Sequence, residues 1–123
     1  MSPADHLLIE TIKKRADFLS TDRGKRVAKP AFVVLGRKRV DGSEIPLIRF
    51  GLTVSRKNGN AVIRNRIRRR LRALAHQSLP THGKAGWDYV LIARGGTDLR
   101  EFAALRHDLE TALEMLHKAR QGA

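Results

Sequence analysis

Between Glu44 and Asp88 the chain carries no acidic residue, yet that window holds ten Lys or Arg: Arg49, Arg56, Lys57, Arg64, Arg66, Arg68, Arg69, Arg70, Arg72 and Lys84. Inside it, Ile63, Ile67, Leu71 and Leu74 recur at steps of four, four and three, which predicts a helix from about Ala61 with one narrow apolar stripe. Asn58-Gly59-Asn60 predicts the turn that delivers the chain from a strand into this helix. At roughly 100° per residue, Arg64, Arg68 and Arg72 run along one edge of the stripe, Asn65 and Arg69 lie at the back, and Arg66 and Arg70 lie on the far edge. A solvated surface helix normally mixes Glu with its Lys and Arg, because unmatched like charges three or four residues apart oppose helix formation. The missing negative charge must therefore come from a partner. Arginine in preference to lysine points to phosphate, since the planar guanidinium donates two parallel hydrogen bonds to two oxygens.

The formal net charge of +13 and a pI near 11.4 extend that conclusion to the whole chain and favour a polyanion, of which nucleic acid is the commonest in a cytosol. An anionic membrane surface is the competitor, but interfacial helices need bulky Trp, Phe and Leu on the apolar face, and this stripe has only Ile and Leu. No stretch approaches the ~20 apolar residues of a membrane span, and Met1 to Ile9 lacks a signal-peptide pattern. With no cysteine in 123 residues, disulfides and thiolate metal sites are excluded, and a cytoplasmic location fits. One domain, residues 1–123, is expected, with residues 1–8 as a loose tail.

Taken in order, Ile9, Ile12, Phe18 and Leu19 predict a first helix between Ile9 and about Asp22, and Arg23 to Lys29 reads as a basic loop closed by Pro30. Ala31 to Val40 predicts a strand ending at an Asp41-Gly42 turn. Ile45 to Ser55 alternates, with Ile48, Phe50, Leu52 and Val54 on a core face and Arg49, Gly51, Thr53 and Ser55 on a face suited to a groove, Gly51 clearing space. These two strands are expected to pair antiparallel. Beyond the arginine helix, Leu79 to Gly86 reads as a loop, Trp87 to Ala93 as a buried strand, and Thr97 or Asp98 as the cap of a last helix with a Leu99, Phe102, Leu105, Leu109, Leu113 and Leu116 face. The sum is an α/β (α+β) two-layer sandwich in the order α-β-β-α-β-α, whose strand, arginine helix, strand segment allows a parallel crossover.

Protein-borne catalysis is not evident. His6, His76, His82, His107 and His117 are scattered, with His107 and His117 read as surface, and no pair has metal-ligand spacing. Asp17 is the only carboxylate near the basic motifs, and one cannot hold a two-metal centre. Neither GxGxxG nor GxxxxGK[ST] occurs, so no catalytic or metal residue is assigned.

Taken with their order, Arg49-Phe-Gly-Leu-Thr-Val-Ser55, Lys57, Gly59-Asn-Ala-Val62, Arg64-Asn-Arg66 and Arg68-Arg69 closely resemble the protein component of bacterial ribonuclease P. Lys14, Asp17-Phe18, Gly24, Phe32 and Asp88-Tyr-Val-Leu-Ile-Ala-Arg94 extend the resemblance over nearly the whole chain after residue 10. It implies a left-handed crossover, against the right-handed rule for such units. It also implies an RNA-binding accessory subunit whose partners are a catalytic RNA and precursor tRNA with its 5′ leader. Magnesium is then expected in the RNA-protein holoenzyme, with no cofactor bound by the protein alone, and neither membrane attachment nor a protein oligomer is implied. By the same resemblance, Arg56, Lys57, Asn60, Arg64, Asn65, Arg66, Arg68, Arg69 and Arg72 contact RNA, Asn65 suiting either turn fixation or RNA reading. Lys14, Phe18, Phe32, Arg49, Thr53 and Ser55 are the expected leader cleft, although Phe18 serves equally as core. The family's second aromatic and its strand tyrosine are replaced here by Thr21 or Asp22 and by Leu35, which weakens leader binding by stacking. The rival readings are a structural or ribosomal-type RNA binder with no part in cleavage, and a nuclease that needs no RNA.

Overall fold

A computed structural model describes residues 8–13, 15–21, 24–39 and 47–121. The elements are β1 (Leu8–Thr11), α1 (Arg15–Ser20), β2 (Lys25–Ala28), β3 (Phe32–Lys38), β4 (Leu47–Thr53), α2 (Ala61–His82), β5 (Trp87–Ala93) and α3 (Phe102–Gln121). They form a five-stranded sheet in the order β1-β4-β5-β3-β2. The expected α-β-β-α-β-α succession is present, with two short edge strands added. Lys14, the expected tail up to residue 7 and the Asp41-Gly42 turn lie outside the described residues.

The apolar run of β5 takes the centre of the sheet, with every residue from Trp87 to Ala93 buried except the half-buried Ile92. It pairs parallel with β4, Gly51 opposite Val90, and antiparallel with β3, Leu35 opposite Val90. The expected parallel crossover through α2 is therefore present, whereas the expected direct pairing of β3 with β4 is not. β5 lies between them and bonds to both.

Two other segments differ from the sequence reading. Residues 8 to 11, expected as tail and helix, form β1 parallel to β4, and among the described residues the α-helix before Gly24 is Arg15–Ser20. Arg23 to Lys29, expected as a loop, contains β2, which pairs antiparallel with β3. Both are four-residue edge strands whose backbone groups are satisfied by pairing with a neighbouring strand, β4 for β1 and β3 for β2, a cause that periodicity within the segment does not register.

The main core lies between the sheet and α2 with α3, and contains Ile48, Phe50, Ile67, Leu71, Leu74, Tyr89, Leu91, Leu105, Leu109 and Leu113. Ile63 packs at its margin, so the four-residue stripe of the arginine helix meets the core as expected. α2 runs through Leu79 and Pro80 to His82, into the stretch expected as a loop. A proline there costs one helical hydrogen bond in the final turn, and the Gly83 N–H closes the end on the Leu79 carbonyl at 2.8 Å.

The last helix starts at Phe102, a turn later than Thr97 or Asp98 suggests. Thr97 is buried with its hydroxyl 2.7 Å from the carbonyl oxygens of Ala31 and Arg94, tying the turn to β3 and β5 instead of capping. Leu99 is 81% exposed and leaves the stripe, which begins at Phe102.

His117 is also buried, which corrects its reading as surface, while His107 is exposed. His117 Nε2 lies 2.7 Å from the Tyr89 hydroxyl, and that hydroxyl accepts the Lys84 N–H at 2.9 Å. Burial holds the Tyr89 phenol neutral well above the usual tyrosine value of 10.0, against the smaller opposing pull of the Lys84 bond. The unfolded chain releases this proton near that value and the folded chain retains it, so stability is expected to fall as pH rises past it. Urea midpoints across that range check this, and the Tyr89→Phe variant should lose the alkaline component.

Candidate nucleic-acid interface

Two surfaces carry the expected site residues. The first is the outer side of α2 with the turn before it. Arg56–Asn58 form one 3₁₀ turn, and Asn58 donates through its backbone N–H to the Ser55 carbonyl at 3.0 Å and through Nδ2 at 3.2 Å. Gly59 has φ of 131°, in the region closed to residues with a Cβ, and permits the reversal into the helix. Asn60 is the N-cap: its Oδ1 accepts the Ile63 N–H at 3.0 Å. This expected RNA contact thus has a structural duty for its oxygen, while the residue remains exposed.

Arg56, Lys57, Asn65, Arg66, Arg69 and Arg72 are exposed, and Arg64 and Arg68 are half-buried beside the stripe. Arg68 Nη1 donates to Asn65 Oδ1 at 3.1 Å, so Asn65 orients an arginine without neutralising it. Val62, Asn65, Arg68, Arg69 and Arg72 line a shallow depression of about 470 Å³. Val62 was not expected as a site residue. It is 67% exposed and occupies the helix start off the apolar stripe, an offset visible in the spacing.

Arg70 behaves differently. Its Nη1 donates to the Asp98 carbonyl at 3.1 Å and its Nη2 to the Arg100 carbonyl, fastening α2 to the turn before α3. Its place on the far edge of the stripe, away from Arg69, makes this possible. Among the described residues no carboxylate pairs with Arg56, Lys57, Arg64, Arg66, Arg68, Arg69 or Arg72; the acids that do pair are Asp88, Asp108 and Glu110, elsewhere. The positive end of the α2 dipole adds to the field. This face can bind a polyphosphate backbone by several guanidinium contacts at once.

The second surface is the sheet face opposite α2 and α3. Val33, Leu35 and Val90 form its floor, with Ile12, Phe18 and Ile92 packed against them. Gly51 does clear space as expected: a Cβ there would lie 2.4 Å from Phe18 Cε2. Phe18 is half-buried and so serves both as partial cover and as an accessible ring. Thr53 is half-buried on the same strand face and Ser55 is exposed beyond it.

Two expected cleft residues are otherwise employed. Phe32 is 0% exposed in the helix-side core, because its strand parity is that of Val34, and it has no surface to offer a ligand. Arg49 belongs to the open face, but its Nε and Nη2 donate to the two Asp88 oxygens at 2.8 and 2.6 Å. Arg39 adds a third bond to Asp88 at 3.0 Å and donates to the Trp87 and Leu47 carbonyls. The Arg49 charge is spent on the fold. Among the described residues, no group of three His, Cys, Asp or Glu is placed to hold a metal ion, and no helix is long and apolar enough to cross a membrane.

A cationic helix fed by a strand and a glycine turn, on an α/β sheet whose opposite face carries neither α2 nor α3, defines an RNA-binding protein of α/β type. The family model for ribonuclease P matches residues 9–117. The chain is 46% identical to the ribonuclease P protein component of Erythrobacter litoralis over 90% of its own length and 86% of that protein's. It is 48% identical to the one from Ruegeria pomeroyi, over 89% and 87%. Solved structures agree: the Staphylococcus aureus RNase P protein superposes with a TM-score of 0.69 at 35% identity, covering 85% of this chain and 93% of that one. The Thermotoga maritima RNase P protein gives 0.66 at 30%, covering 88% and 96%. The chain belongs to the ribonuclease P protein family. It is the RNA-binding accessory subunit of an endoribonuclease of tRNA 5′ processing, partnered with the ribonuclease P RNA, in which the catalytic activity lies.

Proposed function

We propose that this chain acts on precursor tRNA in the cytoplasm, where such precursors are made. The outer side of α2 binds the catalytic RNA through Arg56, Lys57, Arg64, Arg66, Arg68, Arg69 and Arg72, with Asn60 and Asn65 shaping and orienting that surface. The open sheet face, with Phe18, Thr53 and Ser55, holds the 5′ leader extended. The observation that carries this is the run of guanidinium groups on α2 with no counter-charge among the described residues, beside a second face that the large helices do not cover. Magnesium at the reaction centre is held by RNA oxygens; by screening phosphate repulsion, the protein lowers the magnesium concentration at which RNA and substrate engage.

The test is cleavage of a leader-bearing precursor at low magnesium with catalytic RNA alone, protein alone and both. Cleavage confined to the combined sample and ending at the mature 5′ terminus is the expected result. Cleavage by protein alone would demand an active site among its own side chains. Tight RNA binding without enhancement would leave a structural RNA binder.

A further inference from the structure

Among the described residues, Arg26, Arg37, Arg39 and Arg49 belong to the open sheet face or its end, and they divide into two kinds. Arg39 and Arg49 are consumed by Asp88, both of whose oxygens are bonded. Arg37 opposes Asp88 across the β3 and β5 pair, yet that carboxylate is already taken. Arg26 opposes Leu35 on β2. Strand parity sets both on the open side: Gly36 faces Leu116 and Val27 packs on the helix-side core, so their neighbours project the other way. Arg26 is exposed and Arg37 half-buried, and among the described residues neither carries an ion pair. As diagonal cross-strand neighbours they stand roughly 7–8 Å apart, within reach of one extended backbone.

The rest of this face has one aromatic ring among the described residues, Phe18, set in an aliphatic floor of Val33, Leu35, Val90 and Ile92. One ring supports one stacked base. A single strand held here needs its remaining affinity from its phosphates.

We propose that Arg26 and Arg37 form a phosphate-binding strip that carries the leader groove across β3 to the β2 edge and grips the leader backbone beyond the base on Phe18. This rests on the reading that the open face takes the leader. It makes leader binding ionic and tolerant of base sequence.

The experiment measures, with full-length protein and catalytic RNA, the affinity for a precursor with a long leader and for one with a single-nucleotide leader, across a range of salt. Wild type, R26Q/R37Q and F18A are compared. The expected result is a loss of roughly tenfold for R26Q/R37Q on the long leader, with the salt slope reduced by about 1.4, or about 0.7 per phosphate contact of a single strand. Short-leader affinity, catalytic-RNA affinity and melting temperature should stay unchanged. Equal losses on both leaders, or weaker catalytic-RNA binding, would assign the two arginines to that RNA and overturn the strip. No loss with R26Q/R37Q, while F18A still erodes the long-leader preference, would overturn the strip and keep the open-face reading. If neither variant erodes that preference, the open-face reading itself falls.

Discussion

Replacing Asp88 with alanine is expected to destabilise the protein by about 3–5 kcal/mol, the range for removing one partner of a buried ion pair. The Arg39 side chain is only 6% exposed and Asp88 holds it together with Arg49, so the substitution removes a carboxylate that two cations share, one of them in the interior. The penalty comes from removing negative charge beside a buried cation more than from the lost hydrogen bonds. Asp88→Asn, which keeps the volume and removes the charge, should therefore lose most of the same stability. An Arg39→Met, Asp88→Leu pair should recover a large part of it, since apolar replacement of both partners removes the desolvation cost. Urea unfolding read by Trp87, which is itself buried beside the cluster, is the measurement. A loss under about 1 kcal/mol for Asp88→Ala, the scale of exposed pairs, would show that water reaches the cluster freely.

A triple substitution of Arg66, Arg69 and Arg72 by glutamine is expected to weaken catalytic-RNA binding by roughly a hundredfold at physiological salt, taking ~1 kcal/mol net per contact. The salt slope should fall by about 2–3, because each lost phosphate contact removes roughly 0.7–0.9. These three are exposed, so the melting temperature should hold or rise as helix self-repulsion is relieved. Arg64 and Arg68 make a less clean test of charge, since their stems are half-buried beside the core stripe. Arg70→Gln is the internal control: with its guanidinium on the Asp98 and Arg100 carbonyls, it should lower stability and leave the salt slope nearly intact. Unchanged RNA affinity in the triple variant would remove this side of α2 from the interface.

Much of the candidate site was legible in the chain because it is local. The run from Ser55 to Arg72 encodes its own turn, cap and amphipathic helix, and one periodicity separates the core-facing residues from those left for a partner. The role of Gly51 was legible too, as a gap in a small-residue strand face, though not that Phe18 fills it. What the sequence does not separate is two residues of the same type that meet different surroundings. Arg70 and Arg69 are adjacent in sequence, but only Arg70 finds carbonyl acceptors. Phe18 and Phe32 carry the same side chain, and strand parity sends Phe32 into the core while Phe18 stays half-exposed. Arg49 and Arg37 oppose Asp88 from its two neighbouring strands, and only Arg49 holds its carboxylate.

The sequence by itself determined the charge, the arginine helix with its apolar stripe, the central strand of Trp87 to Ala93 and the kinship with ribonuclease P proteins, because each depends on residue types at short spacing. Only the tertiary structure decided that β5 separates β3 from β4, that residues 8 to 11 and 25 to 28 become edge strands, and which arginines are spent on the fold. Backbone pairing and ion pairing are both settled by what lies across the sheet, whether that neighbour is the next strand, as β3 is for β2, or 39 residues on, as Asp88 is for Arg49, and the pattern within a segment does not name it.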